Sequence, residues 1–244
     1  MRKIGWLVVI FLCWTAQAHA QQTLTVVFEE WPPYEYTQGD KVVGIDTEVL
    51  EEACRRMGVT PQFLSLPWAR ALKQVEDGDA DAIFSIGYPA QHPFLVFPET
   101  PISAQRSVLF TRKDSTLQVK SIQDLEGKTV GMVRDNFYGD LFDKNQKIVR
   151  DESSSQAMVF DKLLAERDDV LITFELVGLF LVKEKQIGEQ VKMLDFIIDD
   201  QPTYVGFSKA KGAQAEALAK QLSDVLKELQ QEGVIDAIRN KYLK

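Results

Sequence analysis

Short β-type runs alternate with helix-type runs along most of this chain, and glycine or proline marks many of the junctions. That alternation constrains the fold more than any other feature, because strands separated by helices pair in parallel and bury both faces of a sheet. TLTVVFE (23–29) reads as the first strand. In GIDTEVLEEACRRMG, the apolar residues Ile45, Val49, Leu50, Ala53, Cys54 and Met57 recur at helical spacing. Asp46 or Thr47 is predicted to cap that helix and Gly58 to end it. TPQFLSL is a strand, PWARALKQVEDG a helix opened by Pro67 and closed by Gly78, and DADAIFSI a strand running into Gly87. A proline-broken loop follows, then the strand QRSVLFTRK (105–113).

A second unit repeats the pattern. SIQDLEG is a helical turn, KTVGMV a strand ending in the loop RDNFYGD, and QKIVRD a strand. SSSQAMVFDKLLAERDD opens on a serine cap and holds a helix; VLITF is a strand and ELVGLFLVKEKQIG an apolar helix. EQVKMLD and TYVGFSK (203–209) are strands, and a long helix over 212–231 precedes a last short helix ending at Tyr242. The fold class is therefore α/β, with two small lobes. Ligands of open α/β sheets sit at the carboxyl ends of strands, which directs attention to EEWPPYEY, LPWAR, SIGYPAQ, MVRDNFYGD and TFELVG.

The N-terminus reads as an export signal. Arg2 and Lys3 precede the apolar run 4–14, and Ala18-His19-Ala20 forms a cleavage site, so residues 1–20 are expected to be removed. The run is shorter than the roughly 20 apolar residues of a membrane span. Bulky Leu12 before Cys13 argues against lipid attachment there. Net charge is −8 for the whole chain and becomes −10 once Arg2 and Lys3 are gone, which argues against nucleic acid and anionic membranes as partners. Cys54 is then the single cysteine; on its helical apolar face it reads as a buried thiol. His92 is likewise the single histidine after residue 20. One His and one Cys build no Ser-His-Asp set, Cys-His set or metal cluster, and no phosphate or dinucleotide fingerprint is present, so neither metal nor cofactor is expected.

An ordered series of motifs, WPPYEY, GDKVVGIDTEVLEEACRRMGV, LPWARALKQVEDGDADAI, FPETPIS and SIQDLEGKTVGMV, resembles the periplasmic solute-binding proteins of polar amino-acid ABC uptake systems, the family-3 type. The resemblance covers nearly the whole chain after residue 20. It implies a two-lobe periplasmic-binding-protein-like (type II) fold with two hinge crossings. Mapped here, lobe 1 is 21–110 plus 206–244, lobe 2 is 111–205, and the crossings fall near Phe110–Arg112 and Val205–Phe207. It further implies a monomer that clamps a small solute, closes by a hinge and presents the closed form to an ABC permease in the inner membrane. A dehydratase-like enzyme on the same scaffold and a protein that signals ligand state to a membrane sensor are the alternatives.

The family holds an amino acid with an aromatic wall, an arginine for the carboxylate and an acid for the ammonium. Tyr34 is the expected wall, with Trp31 or Tyr36 in support. The family arginine follows Thr-Pro-x; the matching segment here ends Pro89-Ala90-Gln91, so Gln91 stands where that arginine is expected. Trp68 supplies a second wall or packs inward. Arg70 supplies the missing positive charge or lies on a solvated helix face. Ser85 and Gly87 offer a hydroxyl and a backbone N–H at a strand end. From lobe 2, Arg134 and Tyr138 are candidate contacts, and Asn136 could take a left-handed backbone. Glu175 stands where the family places its acid, either as the ammonium acceptor or as an ordinary first-turn acid of a helix.

Overall fold

The computed structural model describes residues 22–87 and 89–243; the expected signal segment, its cleavage site and Cys13 lie outside them. The chain runs β1 (Gln22–Phe28), the hairpin β2 (Tyr36–Gln38) and β3 (Lys41–Val43), α1 (Ile45–Met57), β4 (Val59–Ser65), α2 (Trp68–Asp77), β5 (Ala82–Ile86) and a short β6 (Leu95–Val96). The long β7 (Ser103–Arg112) leads to β8 (Thr129–Val133), α3 (Asp140–Asp143), β9 (Val149–Ser153), α4 (Gln156–Leu164), β10 (Val170–Phe174) and α5 (Glu175–Glu184). Strand β11 (Val191–Ser208) returns to the first half, where α6 (Ala213–Gln231) and α7 (Val234–Leu243) close the fold.

Each half has a parallel centre. β1 pairs in parallel with β4 and β5, and β8 with β9 and β10. Apart from the β2–β3 hairpin, the antiparallel strand pairs involve the connecting strands. β11 pairs with β5 at Gly206–Phe207 and with β7 from Val191 to Thr203, while β7 pairs with β10 over Ser107–Phe110. Between those contacts, Ser103–Arg106 and Asp200–Thr203 pair only with each other. This two-stranded ribbon joins the halves of a two-lobe type II binding fold. Phe110, by contrast, is already paired with Leu171 inside the second half.

Separate apolar cores hold the halves together. In the first, Val49, Leu50, Ala53 and Cys54 of α1 meet Leu218, Leu222 and Leu226 of α6 over the β1–β5 sheet. In the second, Tyr138, Phe142 and Phe174 pack with Leu109 and Ile172. Each fully buried side chain of this size contributes roughly 1.5–3 kcal/mol of transfer free energy. Cys54 is fully buried, and burial followed by the nearby Glu51 charge pushes its thiol up to about 12. Among the described residues, no helix is long and apolar enough to cross a membrane.

Three local expectations need correction. Neither Asp46 nor Thr47 caps α1; Gly44 does, and both polar residues lie buried in the first turn. The reason is a docked helix start: Ile45 N–H donates to the Pro33 carbonyl (2.8 Å) and Asp46 N–H to the Tyr34 carbonyl (2.9 Å). Backbone oxygens of the preceding loop thus satisfy donors that a side-chain cap otherwise takes. The segments EQVKMLD and TYVGFSK are not separate strands but the ends of β11, because β7 offers a partner along its length. At the start of the second-half loop, Asp135, not Asn136, adopts the left-handed backbone (φ 64°).

Candidate functional site

The loop after β1 is a tight turn built by its own backbone. Trp31 N–H donates to the Glu35 carbonyl (2.7 Å) and Tyr34 N–H to the Trp31 carbonyl (2.8 Å). Tyr34 points inward and is fully buried, and its hydroxyl donates to the Ala104 carbonyl at 3.3 Å. Trp31 lies over it with ring centroids 4.3 Å apart and planes 24° apart. The far edge of Trp31 meets Phe174 of the second half at 5.8 Å, in an edge-to-face contact. Tyr36 sits further out, 6.0 Å from Phe180. The aromatic surface offered by EEWPPYEY is therefore Trp31, with Tyr34 as its buried support.

Trp31 forms part of a cleft of about 490 Å³ between the halves. Its other walls are Trp68, Phe137 and Phe174, and its polar lining is Glu29, Glu30, Glu35, Ser85, Gln105, Asp135 and Asn136. Phe137 also borders an adjoining hollow of about 540 Å³ lined by Gln91, Asp140, Asp199 and Gln201. Six carboxylates and no lysine or arginine line the two spaces among the described residues. Such an arrangement attracts cations and repels anions.

Neighbouring groups position each acid differently. Glu29 accepts the Trp68 N–H (3.0 Å) and so ties the start of α2 to the end of β1. Burial works to raise Glu30, but the Thr37 hydroxyl and N–H, each at 2.7 Å, outweigh it and hold the carboxyl below its ordinary range. Glu35 is only 3% exposed and faces Asp46, which is completely buried. The Ser85 hydroxyl lies 2.9 Å from Glu35 Oε2 and 3.4 Å from Asp46 Oδ2, and Ser85 itself holds a left-handed backbone (φ 52°) at the end of β5. Burial and the Asp46 charge raise Glu35 well above the carboxylate range. Burial likewise raises Asp46 to about 7, with the Ser103 and Ser85 hydroxyls and Arg239 offsetting part of the rise.

The residues singled out in the sequence fall into three groups. Trp68 and Ser85 line the cleft, and Gln91 lines the adjoining hollow. Gly87 is partly buried next to Ser85 and outside the lining. The remainder face elsewhere. Arg70 is exposed on α2, and Arg134 pairs at the surface with Glu152 at 3.0 Å. Tyr138 is fully buried in the second core, its hydroxyl accepting from Val133 N–H and Asn136 Nδ2, both at 3.2 Å. Glu175 opens α5 and faces Arg106 of β7 at 3.6 Å, with Asp200 on the guanidinium's other side at 2.9 Å. Sequence spacing gave no sign of the Glu35–Ser85–Asp46 cluster, since its members come from a turn, a strand end and a helix start. Phe137 was hidden by its neighbour: of two adjacent aromatics, the loop turns Tyr138 inward and Phe137 outward.

Comparison with known proteins matches residues 24–244 to the model of the bacterial extracellular solute-binding proteins, family 3. The chain belongs to that family. Its members are binding proteins, and the family reading stands over the enzyme alternative. Among family-3 relatives, the probable amino-acid-binding protein YxeM of Bacillus subtilis is 23% identical over 86% of this chain and 79% of its own length. The L-cystine-binding protein TcyA of the same organism is 25% identical over 83% of this chain and 73% of its own. The arginine-binding extracellular protein ArtP, also from Bacillus subtilis, is 20% identical over 87% and 82%. The second substrate-binding domain of Lactococcus lactis GlnP, in an open conformation, superposes with a TM-score of 0.74 at 20% identity, covering 92% of this chain and 96% of that one. A substrate-binding domain of a Streptococcus pneumoniae putative amino-acid ABC transporter gives 0.75 at 21% identity, over 91% and 100%.

Proposed function

We propose that this family-3 solute-binding protein captures a small amine- or guanidine-bearing solute outside the cytoplasm and hands it to an ABC importer. The observation that carries the reading is the cleft lining: aromatic walls, carboxylates and no basic side chain among the described residues. An ammonium or guanidinium gains from both elements, through charge and through the faces of Trp31 and Trp68. A solute carboxylate finds neutral side-chain donors, such as the amides of Gln91, Gln105, Asn136 and Gln201 and the Ser85 hydroxyl, and no cation among the described lining residues, so the charged end that fixes the ligand is the cationic one. Relatives that bind arginine and L-cystine show that the family accommodates amine-bearing ligands.

In this reading residues 1–20 are a cleavable signal, the mature protein is a periplasmic monomer, and its partner is a permease. The lobes close about the ribbon of Ser103–Arg106 and Asp200–Thr203 rather than at Phe110–Arg112. Closure brings Phe137 and Asn136 against a solute seated on Trp31.

Thermal-shift screening against amines, amino acids and small acids tests the reading. A ligand at a hundredfold excess over Kd stabilises by about 2.7 kcal/mol. Stabilisation by amine-bearing solutes is the expected result. Stabilisation by anionic solutes alone overturns it. Mass spectrometry of a co-purified ligand supplies the identity.

A further inference from the structure

We propose that Glu35, Ser85 and Asp46 form a proton-exchanging ammonium subsite, in which a bound cation replaces the proton that the two carboxyls share. The inference rests on the cationic-ligand reading above and names the residues and the linkage that implement it.

The first ground is hydrogen-bond bookkeeping. The Ser85 hydroxyl has one proton to give and stands near one oxygen of each carboxyl, 2.9 Å and 3.4 Å away. It can donate to one carboxylate; the other oxygen is a favourable neighbour only if it carries a proton and donates back to the hydroxyl. The second ground is burial that neighbouring groups compensate only in part. Asp46 is fully buried, and its Oδ1 has no hydrogen-bond partner among the described residues. Two buried anions side by side are expensive, and one proton between them removes most of that cost. The third ground is position. Glu35 and Ser85 line the cleft next to Trp31 and Asp46 does not, so a ligand meets the pair through Glu35.

The charges around the pair are consistent with this role. Glu30 on the same loop adds negative charge beside Glu35. Arg239 of α7 is the basic group acting on Asp46, and it is not part of the cleft lining. Glu175 and the Tyr34 phenol lie within electrostatic reach of the same region. None of these supplies a mobile cation at the cleft face of Glu35. An incoming ammonium does, and its charge makes the second carboxyl's proton dispensable. The exchange balances: the singly protonated pair plus R–NH3⁺ gives the dianionic pair bound to R–NH3⁺, plus one proton released to solvent. Glu35 touches the ligand; Asp46 is a positioning residue that acts through the shared proton.

Isothermal titration of the whole protein with 1,4-diaminobutane and with L-arginine, in buffers of different ionisation enthalpy, counts the proton directly. The expected result is release of close to one proton per ligand near neutral pH, with affinity rising up to about tenfold per pH unit on the acidic side. Asp46→Asn is expected to bind with little proton release and a flattened pH profile, and Glu35→Gln to lose at least about tenfold in affinity. Binding of either probe with no proton release by the unaltered protein overturns the subsite and leaves the cationic-ligand reading standing. Undiminished binding by Glu35→Gln does the same. No binding by either probe, with stabilisation by anionic solutes alone, overturns both. The proton count needs no variant, so misfolding of a substituted protein leaves the test intact.

Discussion

Trp31 stacks on Tyr34 at 4.3 Å, and only Trp31 borders the cleft. Tyr34 is sealed beneath it, hydrogen-bonded to Ala104 on β7, the strand that runs into the second half. The two residues are three apart in a turn stiffened by Pro32 and Pro33, and they divide a task that one aromatic was expected to perform. Trp31→Ala should therefore lower ligand affinity by about tenfold or more through loss of the ring face, with a smaller effect on folding. Tyr34→Ala should do the reverse, destabilising the fold by about 3–5 kcal/mol. Chemical denaturation set beside ligand titration separates the two; equal losses of affinity from both variants, with folding intact, would contradict the division.

Glu35 and Asp46 also set a pH dependence of stability. Both folded carboxyls titrate above their ordinary range, so the folded state keeps protons that the unfolded chain has already released. The contribution of Asp46 is full below about pH 4 and is lost as pH rises towards 7, and that of Glu35 is lost in the same direction. Asp46→Asn cannot titrate, so it should gain on the unaltered protein across that interval, by no more than about 4 kcal/mol for a displacement of this size. Denaturant midpoints of the two proteins, followed from acid to neutral pH, give the difference. Parallel curves would show that Asp46 ionises normally.

Glu175 offers a contrasting case. Its carboxylate faces Arg106, and that pair is partly solvated, with Arg106 44% exposed. Glu175→Gln should cost less than about 1 kcal/mol of stability. Because Arg106 already engages the carboxylate and Glu175 lies outside the cleft lining, amine affinity should change by less than about threefold. A large loss of affinity in this variant would return the ammonium to Glu175.

Gly44 fixes how the EEWPPYEY turn meets α1. Its φ is 136°, and a Cβ there would lie 2.2 Å from the Tyr34 carbonyl oxygen, an atom that cannot move without breaking the start of α1. Gly44→Ala combines a backbone clash with a disfavoured conformation and should destabilise by about 3 kcal/mol or more. Gly39, also at positive φ but with open space around it, provides the control, and Gly39→Ala should cost far less. Comparable melting temperatures for the two variants would show that the α1 start tolerates displacement.

The alternation of strand and helix, the glycine ends of α1 and α2 and the serine cap of α4 were all legible in the sequence. These features depend on local periodicity and backbone preference, which a chain carries wherever it is placed. The ordered motifs added the two-lobe plan and the solute-binding family. Which side chain of a loop faces the ligand was a different matter. Phe137 borders the cleft while Tyr138, the next residue, became core, and Trp31 borders it while Tyr34, three residues on, is buried beneath it. The facing of Glu35, Ser85 and Asp46 joins segments up to 50 residues apart and has no local signature. Periodicity determined the elements, the family pattern determined the clamp, and long-range packing alone decided which acids and aromatics meet the solute, because burial and mutual charge arise only once the chain has closed on itself.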